Sequence, residues 1–141
     1  MKKTLKIVKK IAIAAGNLQI KKLGRIKNIS YKSRMNLVTD VDKACESLII
    51  KSLKKEFPDY LILSEEAGGS YKKSKAPKWV IDPLDGTTNY AHGFPFFCVS
   101  IALEYKSNIK LGVVYDPIRK ELFWAVKGKG AFCNNKRIFA I

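Results

Sequence analysis

The segment Trp79-Val-Ile-Asp82-Pro-Leu-Asp85-Gly-Thr-Thr-Asn89 decides the fold around it. Its first four residues are typical of a short buried strand. Pro83 stiffens the turn that follows, and the residues after Gly86 can open a helix whose first N–H groups lack partners inside the helix. Two carboxylates three positions apart, Asp82 and Asp85, therefore lie between the end of a strand and the start of a helix.

This arrangement has the two parts that a phosphate site needs. Carboxylate oxygens are hard ligands for divalent cations. A helix N-terminus with threonine hydroxyls can receive phosphate oxygens. Asp82 is the best candidate to bridge two cations because the strand fixes it. The alternative at this point is an Asx turn with an aspartate N-cap, which explains Asp85-Gly-Thr without any ligand.

A second acidic pair, Glu65 and Glu66, follows another predicted buried strand at Tyr60–Ser64. Carboxylates that lie close together repel one another, and a bound cation removes that repulsion. We therefore expect this pair to share a cation with the two aspartates above. A solvated loop is the alternative. The Gly-, Ser- and Lys-rich stretch from Ala67 to Lys78 is predicted to be a mobile flap.

Two helices are predicted ahead of these strands. The first spans about residues 3 to 21, and the second is expected to begin at an N-cap, Thr39, and to end before Pro58. Asp42 stands three residues after Thr39, the position of a capping-box acid. The residues on the apolar face of the first helix are Leu5, Val8, Ala12, Ala15 and Leu18.

The rest of the chain predicts a meander of strands separated by turns. The expected strands lie at about 97–105, 110–115, 121–126, 131–133 and 137–141. The predicted fold class is thus α+β, with two helices packed on a largely antiparallel sheet. The chain ends on an apolar segment, which suggests a tightly docked last strand or one piece of a longer protein.

The charge is unevenly distributed. The chain has 141 residues, 27 of them basic and 12 acidic, for a net charge of +15, yet no Lys or Arg occurs between Lys78 and Lys106. Clustered acids in a basic protein favour a cation site in a field that attracts anions. A lysine-rich solvated surface is the simplest explanation of the excess of basic residues. Contact with nucleic acid or an anionic membrane is the alternative explanation.

Several classes of protein are disfavoured. Three cysteines at wide spacing and one histidine, His92, support neither a disulfide framework nor a zinc site, and they fit reduced cytosolic thiols. Lys6, Lys9 and Lys10 interrupt the apolar residues near the N-terminus, so a signal peptide or membrane span is not expected. A helix lying on a membrane surface remains the minor alternative for that segment.

The segment Trp79–Phe96, with Asn36–Asp42 and Leu63–Glu66, closely resembles the inositol monophosphatase family of magnesium-dependent, lithium-sensitive sugar phosphatases. The resemblance extends to Gly112–Pro117 and Gly128–Phe132. It implies a layered α/β sandwich of the sugar-phosphatase type. Residues 1–141 would then form a single, apparently truncated domain that corresponds to the N-terminal part of the family's fold.

The resemblance also implies a set of metal ligands. Glu65, Asp82 and the main-chain carbonyl of Leu84 would bind a first Mg²⁺, and Asp82 would bridge it to a second that Asp85 also binds. Glu65 would face a weaker third ion. The family's second half supplies a further aspartate to the second ion, so that site is expected to be incomplete here.

The remaining roles follow from the same resemblance. Thr87, paired with Asp42, would orient or deprotonate the attacking water, and Glu65 belongs to this catalytic set. Gly86, Thr87 and Thr88 would bind the phosphate. Lys32 matches a lysine in a flexible loop near the metals, whereas His92 is expected to pack in a helix or turn rather than bind metal.

The implied function is hydrolysis of inositol monophosphate or a related sugar phosphate by a metal-activated water, in the cytoplasm. The resemblance also implies a homodimer for the full-length protein. Two alternatives remain open: a non-catalytic fragment that is stable only when dimerised or complemented, and an RNA-binding or transcription-complex protein, which the positive charge permits.

Overall fold

The computed structural model describes residues 1–25, 30–64 and 75–141. Two long helices come first, then a sheet that a short helix interrupts. The elements are α1 (Lys2–Leu23), α2 (Tyr31–Glu56), β1 (Leu61–Ser64), β2 (Lys78–Asp85), α3 (Thr87–Ala91), β3 (Cys98–Tyr105), β4 (Asn108–Asp116), β5 (Glu121–Val126), β6 (Ala131–Cys133) and β7 (Lys136–Ile138).

The strands lie side by side in chain order from β1 to β7. β1 pairs with β2 in parallel, and the five other pairings are antiparallel. The predicted α+β fold, two helices on a largely antiparallel sheet, is confirmed. The predicted flap falls mainly in residues 65–74, which lie outside the described residues.

The main core lies between the two long helices and one face of the sheet. Alternate strand residues point into it because side chains alternate between the faces of a strand. Trp79 is fully buried, with its ring 5.2 Å from that of Phe57 and 6.0 Å from that of Tyr60. The buried members are Leu5, Val8, Ile11, Ala12, Ala15, Ile49, Leu53, Trp79, Ile81, Val99, Ile101, Leu103, Leu111, Val113, Tyr115 and Leu122.

A smaller core joins α2 to the short helix. Val41 and Cys45 of α2 pack there with Leu84 of β2 and with Tyr90 and Ala91 of α3. The rings of Tyr90 and Phe97 meet edge to face at 4.8 Å, a favoured aromatic geometry. This cluster fixes α3 relative to the end of β2.

The start of α2 differs from the prediction. Ser30 is the N-cap, and its Oγ accepts a hydrogen bond from Ser33 N at 3.3 Å. Thr39 lies inside the helix, where its hydroxyl donates to Met35 O at 3.0 Å, a bond that lets threonine sit within a helix. The predicted capping roles of Thr39 and Asp42 are therefore wrong, since both residues are more than two turns inside α2.

We expect Ser30→Ala to lower the free energy of unfolding by about 1 kcal/mol, because a helix N-cap is lost. Thr39→Ala is the matched control and should change it by less than about 0.5 kcal/mol, as is usual for an exposed site. Urea unfolding of both variants measures the difference. A larger loss for Thr39→Ala than for Ser30→Ala would contradict this assignment of the helix start.

The two ends of the predicted sheet also need correction. β2 continues past Asp82 to Asp85 instead of turning at Pro83, because a bulge accommodates the proline, which has no N–H for the ladder. β7 is exposed along its length, and Phe139 after it is 76% exposed. The expectation of a tightly docked last strand is wrong. Within the described ranges, no helix is both long and apolar enough to cross a membrane.

Candidate functional site

The site is built around a bulge near the end of β2. Asp82 pairs with Ser100 and Asp85 pairs with Cys98, so β2 has one more residue than β3 in this interval. Residues three apart in a regular strand face opposite sides, and one extra residue reverses that parity. Both aspartates therefore lie on the face that carries Cys98 and Ser100, while the side chain of Leu84 is buried, with 2% of its surface exposed.

Negative charge is concentrated at this end of the sheet. The Sγ atom of Cys98 lies 3.9 Å from Oδ2 of Asp85. Burial of the thiol, followed by the charges of Asp85, Asp82 and Asp116, raises the pKa of Cys98 to about 12. The thiol therefore stays neutral near pH 7, and three carboxylates lie close enough to act on it.

Asp116 also contacts the turn that follows β4. Its Oδ1 accepts hydrogen bonds from the main-chain N–H of Ile118 at 3.0 Å and Arg119 at 3.1 Å. Its Oδ2 forms an ion pair with the Arg119 guanidinium at 3.1 Å. These contacts hold the turn after β4, so we assign Asp116 a structural role.

α3 begins directly after the two aspartates. Gly86 is its N-cap, with φ 96° and ψ 38°, and its carbonyl accepts a hydrogen bond from Tyr90 N at 2.9 Å. A Cβ at this position would lie 3.0 Å from the carbonyl oxygen of Phe96. Glycine is thus required for both its backbone angle and the space around it. Thr87 and Thr88 follow in the first turn, where helix N–H groups lack helical partners.

Asp42 lies in the turn of α2 that packs on α3. It is 5% exposed, between Val41 and Cys45, which both contact the small core. Burial and, after it, the negative charge of Asp42 raise the pKa of Cys45 to about 12. Sequence patterning alone gave no reason for a carboxylate to be buried here, whereas the family resemblance assigned it a role.

The other predicted residues are placed as follows. Glu65 and Glu66 lie outside the described residues, and their roles stay predictions. Ser64, the residue before them, donates from its Oγ to Glu46 Oε2 at 2.7 Å, and it pairs with Ile81 in the parallel ladder. The end of β1 therefore lies beside the position of Asp82.

Two further residues, Lys32 and His92, were considered in the sequence prediction. Lys32 is exposed in the first turn of α2, so the prediction that it belongs to a loop is wrong. His92 is the exposed C-cap residue of α3, and its N–H bonds to Thr88 O. Its position in a turn agrees with the prediction, but its exposed side chain does not have the packing role expected of it.

The donor set suits a hard cation. The carboxylates of Asp82 and Asp85 and the main-chain carbonyl of Leu84 are oxygen ligands, the type that Mg²⁺ takes in proteins. In the described part of the chain, no group of three or more His, Cys, Asp and Glu side chains could hold a metal ion. A carboxylate from outside that part, such as Glu65, would be needed to complete a three-carboxylate site.

Gln19 is a polar residue that the sequence prediction missed. It is fully buried on α1, and its side-chain amide bonds to the bulge of β2. The available signal was its spacing, because Ala12, Ala15 and Gln19 share one helical face. The prediction placed Leu18 on that face, whereas Leu18 is only partly buried, against the small core.

The chain is similar to known proteins over nearly its whole length. A family model described as the inositol monophosphatase family matches residues 1–140. The chain is 44% identical over 137 residues to inositol monophosphatase 3 of Solanum lycopersicum, covering 95% of this chain and 51% of that protein. It is 46% identical over 140 residues to Nus factor SuhB of Pasteurella multocida (strain Pm70), covering 98% and 52%.

A solved structure gives the same result. The crystal structure of inositol monophosphatase-II from Staphylococcus aureus MSSA476 matches with a TM-score of 0.87 at 30% identity. The match covers 100% of this chain and 53% of that one. The chain thus spans about half the length of the relatives that it matches.

Proposed function

The chain belongs to the inositol monophosphatase family, and from that membership we propose that it serves magnesium-dependent hydrolysis of inositol monophosphate or a related sugar phosphate. The observation that carries the proposal is the bulge, which puts Asp82 and Asp85 on one face directly before the helix that Gly86 caps. The matched relatives are about twice as long, so this part of the fold is proposed to supply one side of the site.

Magnesium would be held by oxygens from two parts of the chain, the end of β2 and the residue after β1. Asp82 and Asp85 offer carboxylates, Leu84 offers its main-chain carbonyl, and Glu65 is proposed to complete the set. When bound, the cation supplies Lewis acidity, which activates water and neutralises the charge on the departing oxygen. The family resemblance suggests two or three such ions.

The substrate's phosphate would be received at the start of α3. The backbone N–H groups of this first turn and the hydroxyls of Thr87 and Thr88 are donors that suit an anion. Gly86 lets the backbone approach closely because it has no side chain. The net charge of +15 would favour the encounter with an anionic ester.

A buried carboxylate could complete the proton path. We propose that Oγ1 of Thr87 takes a proton from the attacking water while the hydroxyl proton of Thr87 moves to a carboxylate oxygen of Asp42, so that Thr87 stays neutral. The packing of Asp42's turn of α2 on α3 supports this pairing. Such proton transfers contribute about 10²- to 10⁴-fold in enzymes.

The direct test measures phosphate released from inositol monophosphate, with Mg²⁺ and with EDTA. It uses the purified 141-residue chain and a version extended with the second half of a close relative. We expect release that requires Mg²⁺ and is greater in the extended version. Equal release with EDTA, or none from the extended version in Mg²⁺, would contradict the proposal.

A binding role is the second candidate, and two observations favour it. One matched relative is named Nus factor SuhB, and α1 carries seven lysines without an acidic residue. Affinity for RNA that falls steeply with salt, and that survives Asp82→Asn, would support this role in place of catalysis. RNA affinity that is absent at low salt would exclude it.

We also propose a cellular location, a domain organisation and an oligomeric state. A cytoplasmic location is supported by three free cysteines, Cys45, Cys98 and Cys133. We propose that residues 1–141 form a single domain and that this domain, completed by a second half like that of its relatives, is a homodimer. Sedimentation at several concentrations would show whether this chain self-associates.

A further inference from the structure

We propose that Gln19 is a positioning residue, whose side-chain amide holds the β2 bulge so that Asp82 and Asp85 face one cation. This inference rests on the function proposed above. Gln19 Nε2 donates to Pro83 O at 2.8 Å and to Cys98 O at 3.3 Å. One amide group thereby links the two strands that border the bulge, β2 and β3.

Main-chain chemistry explains why a donor is needed there. A bulge interrupts the ladder, so a buried carbonyl within it must find a partner outside the two strands. Pro83 is buried and lies inside the bulged interval, while Cys98 stands opposite Asp85 at its far end. A side-chain amide has two N–H donors, enough to serve both carbonyls at once.

Packing alone does not explain glutamine at this position. Gln19 is fully buried, and its Oε1 has no hydrogen-bond partner among the described residues. An unsatisfied buried acceptor is costly, and a methionine would fill the same space without that cost. The contribution of Gln19 must therefore come from its donors.

The same residue also reaches the phosphate-binding end of the proposed site. The hydroxyl of Tyr90, in α3, donates to the main-chain carbonyl of Gln19 at 2.6 Å. Tyr90 is itself fully buried. One position on α1 thus bonds to both the bulge that carries the aspartates and the helix that follows them. Gln19 is buried too deeply to touch a substrate, so it acts through these groups.

The test replaces the donors while keeping the volume. Gln19→Met removes both N–H groups, and Val8→Ala is the control, a cavity in the same helix and the main core, away from the bulge. Two quantities are measured on each full chain: Mg²⁺ affinity by calorimetric titration, and amide hydrogen exchange without metal. Urea unfolding reports the stability of each variant.

We expect Gln19→Met to weaken Mg²⁺ binding about tenfold, the size of loss typical for residues that orient metal ligands. It should also speed amide exchange across residues 84–88, while leaving residues 111–115 of β4 unchanged. Val8→Ala should lose stability with neither effect. Weaker Mg²⁺ binding together with faster exchange at residues 84–88 would support the inference. A residue with a merely structural role would lose stability without these two effects, as Val8→Ala is expected to do.

Two outcomes would overturn it. One is unchanged exchange at residues 84–88 in Gln19→Met, and the other is Mg²⁺ affinity that falls equally in Val8→Ala. If neither the unaltered chain nor its version extended with a relative's second half binds Mg²⁺, the proposed function fails instead. Exchange at the bulge, measured without metal, then still decides whether Gln19 holds it.

Discussion

We expect Asp82→Asn to lower magnesium-dependent phosphate release from inositol monophosphate by at least about 10³-fold, measured in the version extended with a relative's second half. An amide oxygen carries no charge, so it binds a divalent cation far more weakly than a carboxylate. Loss of a Lewis acid costs several kcal/mol of transition-state stabilisation, and about 1.4 kcal/mol corresponds to tenfold in rate.

The free energy of unfolding of Asp82→Asn should rise or stay the same, although its rate of phosphate release falls. Asp82, Asp85 and Asp116 act together on the thiol of Cys98, so without metal these carboxylates repel one another. Removing one charge relieves that repulsion. Urea unfolding in EDTA should therefore show a free energy of unfolding equal to or above that of the unaltered chain.

Asp59→Asn is the matched control, since Asp59 is exposed in the segment between α2 and β1. It makes the same chemical change away from the bulge and should leave phosphate release unaltered. A normal rate in Asp82→Asn would remove Asp82 from the proposed site. A loss of rate accompanied by unfolding would show that the residue acts through the fold instead.

Much of the sheet could be predicted from the sequence. Apolar residues alternate along β3 and β4, and β5 and β6 begin and end where the pattern placed them. Strand periodicity is a strong signal when one face of a sheet is buried against helices. The fold class followed from these elements, and membership of the family followed from the long acidic motif.

The details that shape the site could not be predicted in the same way. A bulge depends on how two strands pair, and the sequence of β2 alone does not show that Asp85 lies opposite Cys98 rather than Phe97. The role of Gln19 depends on a carbonyl 64 positions away. The start of α2 was mistaken because two residues, Ser30 and Thr39, can both cap a helix.

The second large effect is expected at the first residue of the phosphate-binding segment. Gly86→Ala should lower the free energy of unfolding by about 3 kcal/mol in urea. A left-handed backbone costs a non-glycine residue roughly 1–2 kcal/mol. The new Cβ would also lie 3.0 Å from Phe96 O and 3.2 Å from Phe97 Cβ, and overpacking in a buried region costs about 1–3 kcal/mol.

Gly128→Ala separates these two causes. Gly128 has a similar φ of 80°, yet nothing lies within 4 Å of where its Cβ would be. This variant should therefore lose only the backbone contribution, about 1 kcal/mol. The difference between the two variants measures the close approach of Gly86 to the segment before β3. Equal losses would mean that the segment yields at little cost and that the glycine serves its backbone angle alone.

The same pair of variants tests the site, because Gly86 joins the aspartates of β2 to the first turn of α3. If that junction positions the cation and phosphate groups together, Gly86→Ala should have a lower Mg²⁺ affinity even at temperatures at which the variant is still folded. Gly128→Ala should leave the Mg²⁺ affinity unchanged. Calorimetric titration of the folded variants provides the comparison. Unchanged Mg²⁺ affinity in folded Gly86→Ala would show that the aspartates hold their positions without the glycine turn, and the bulge alone would then account for their placement.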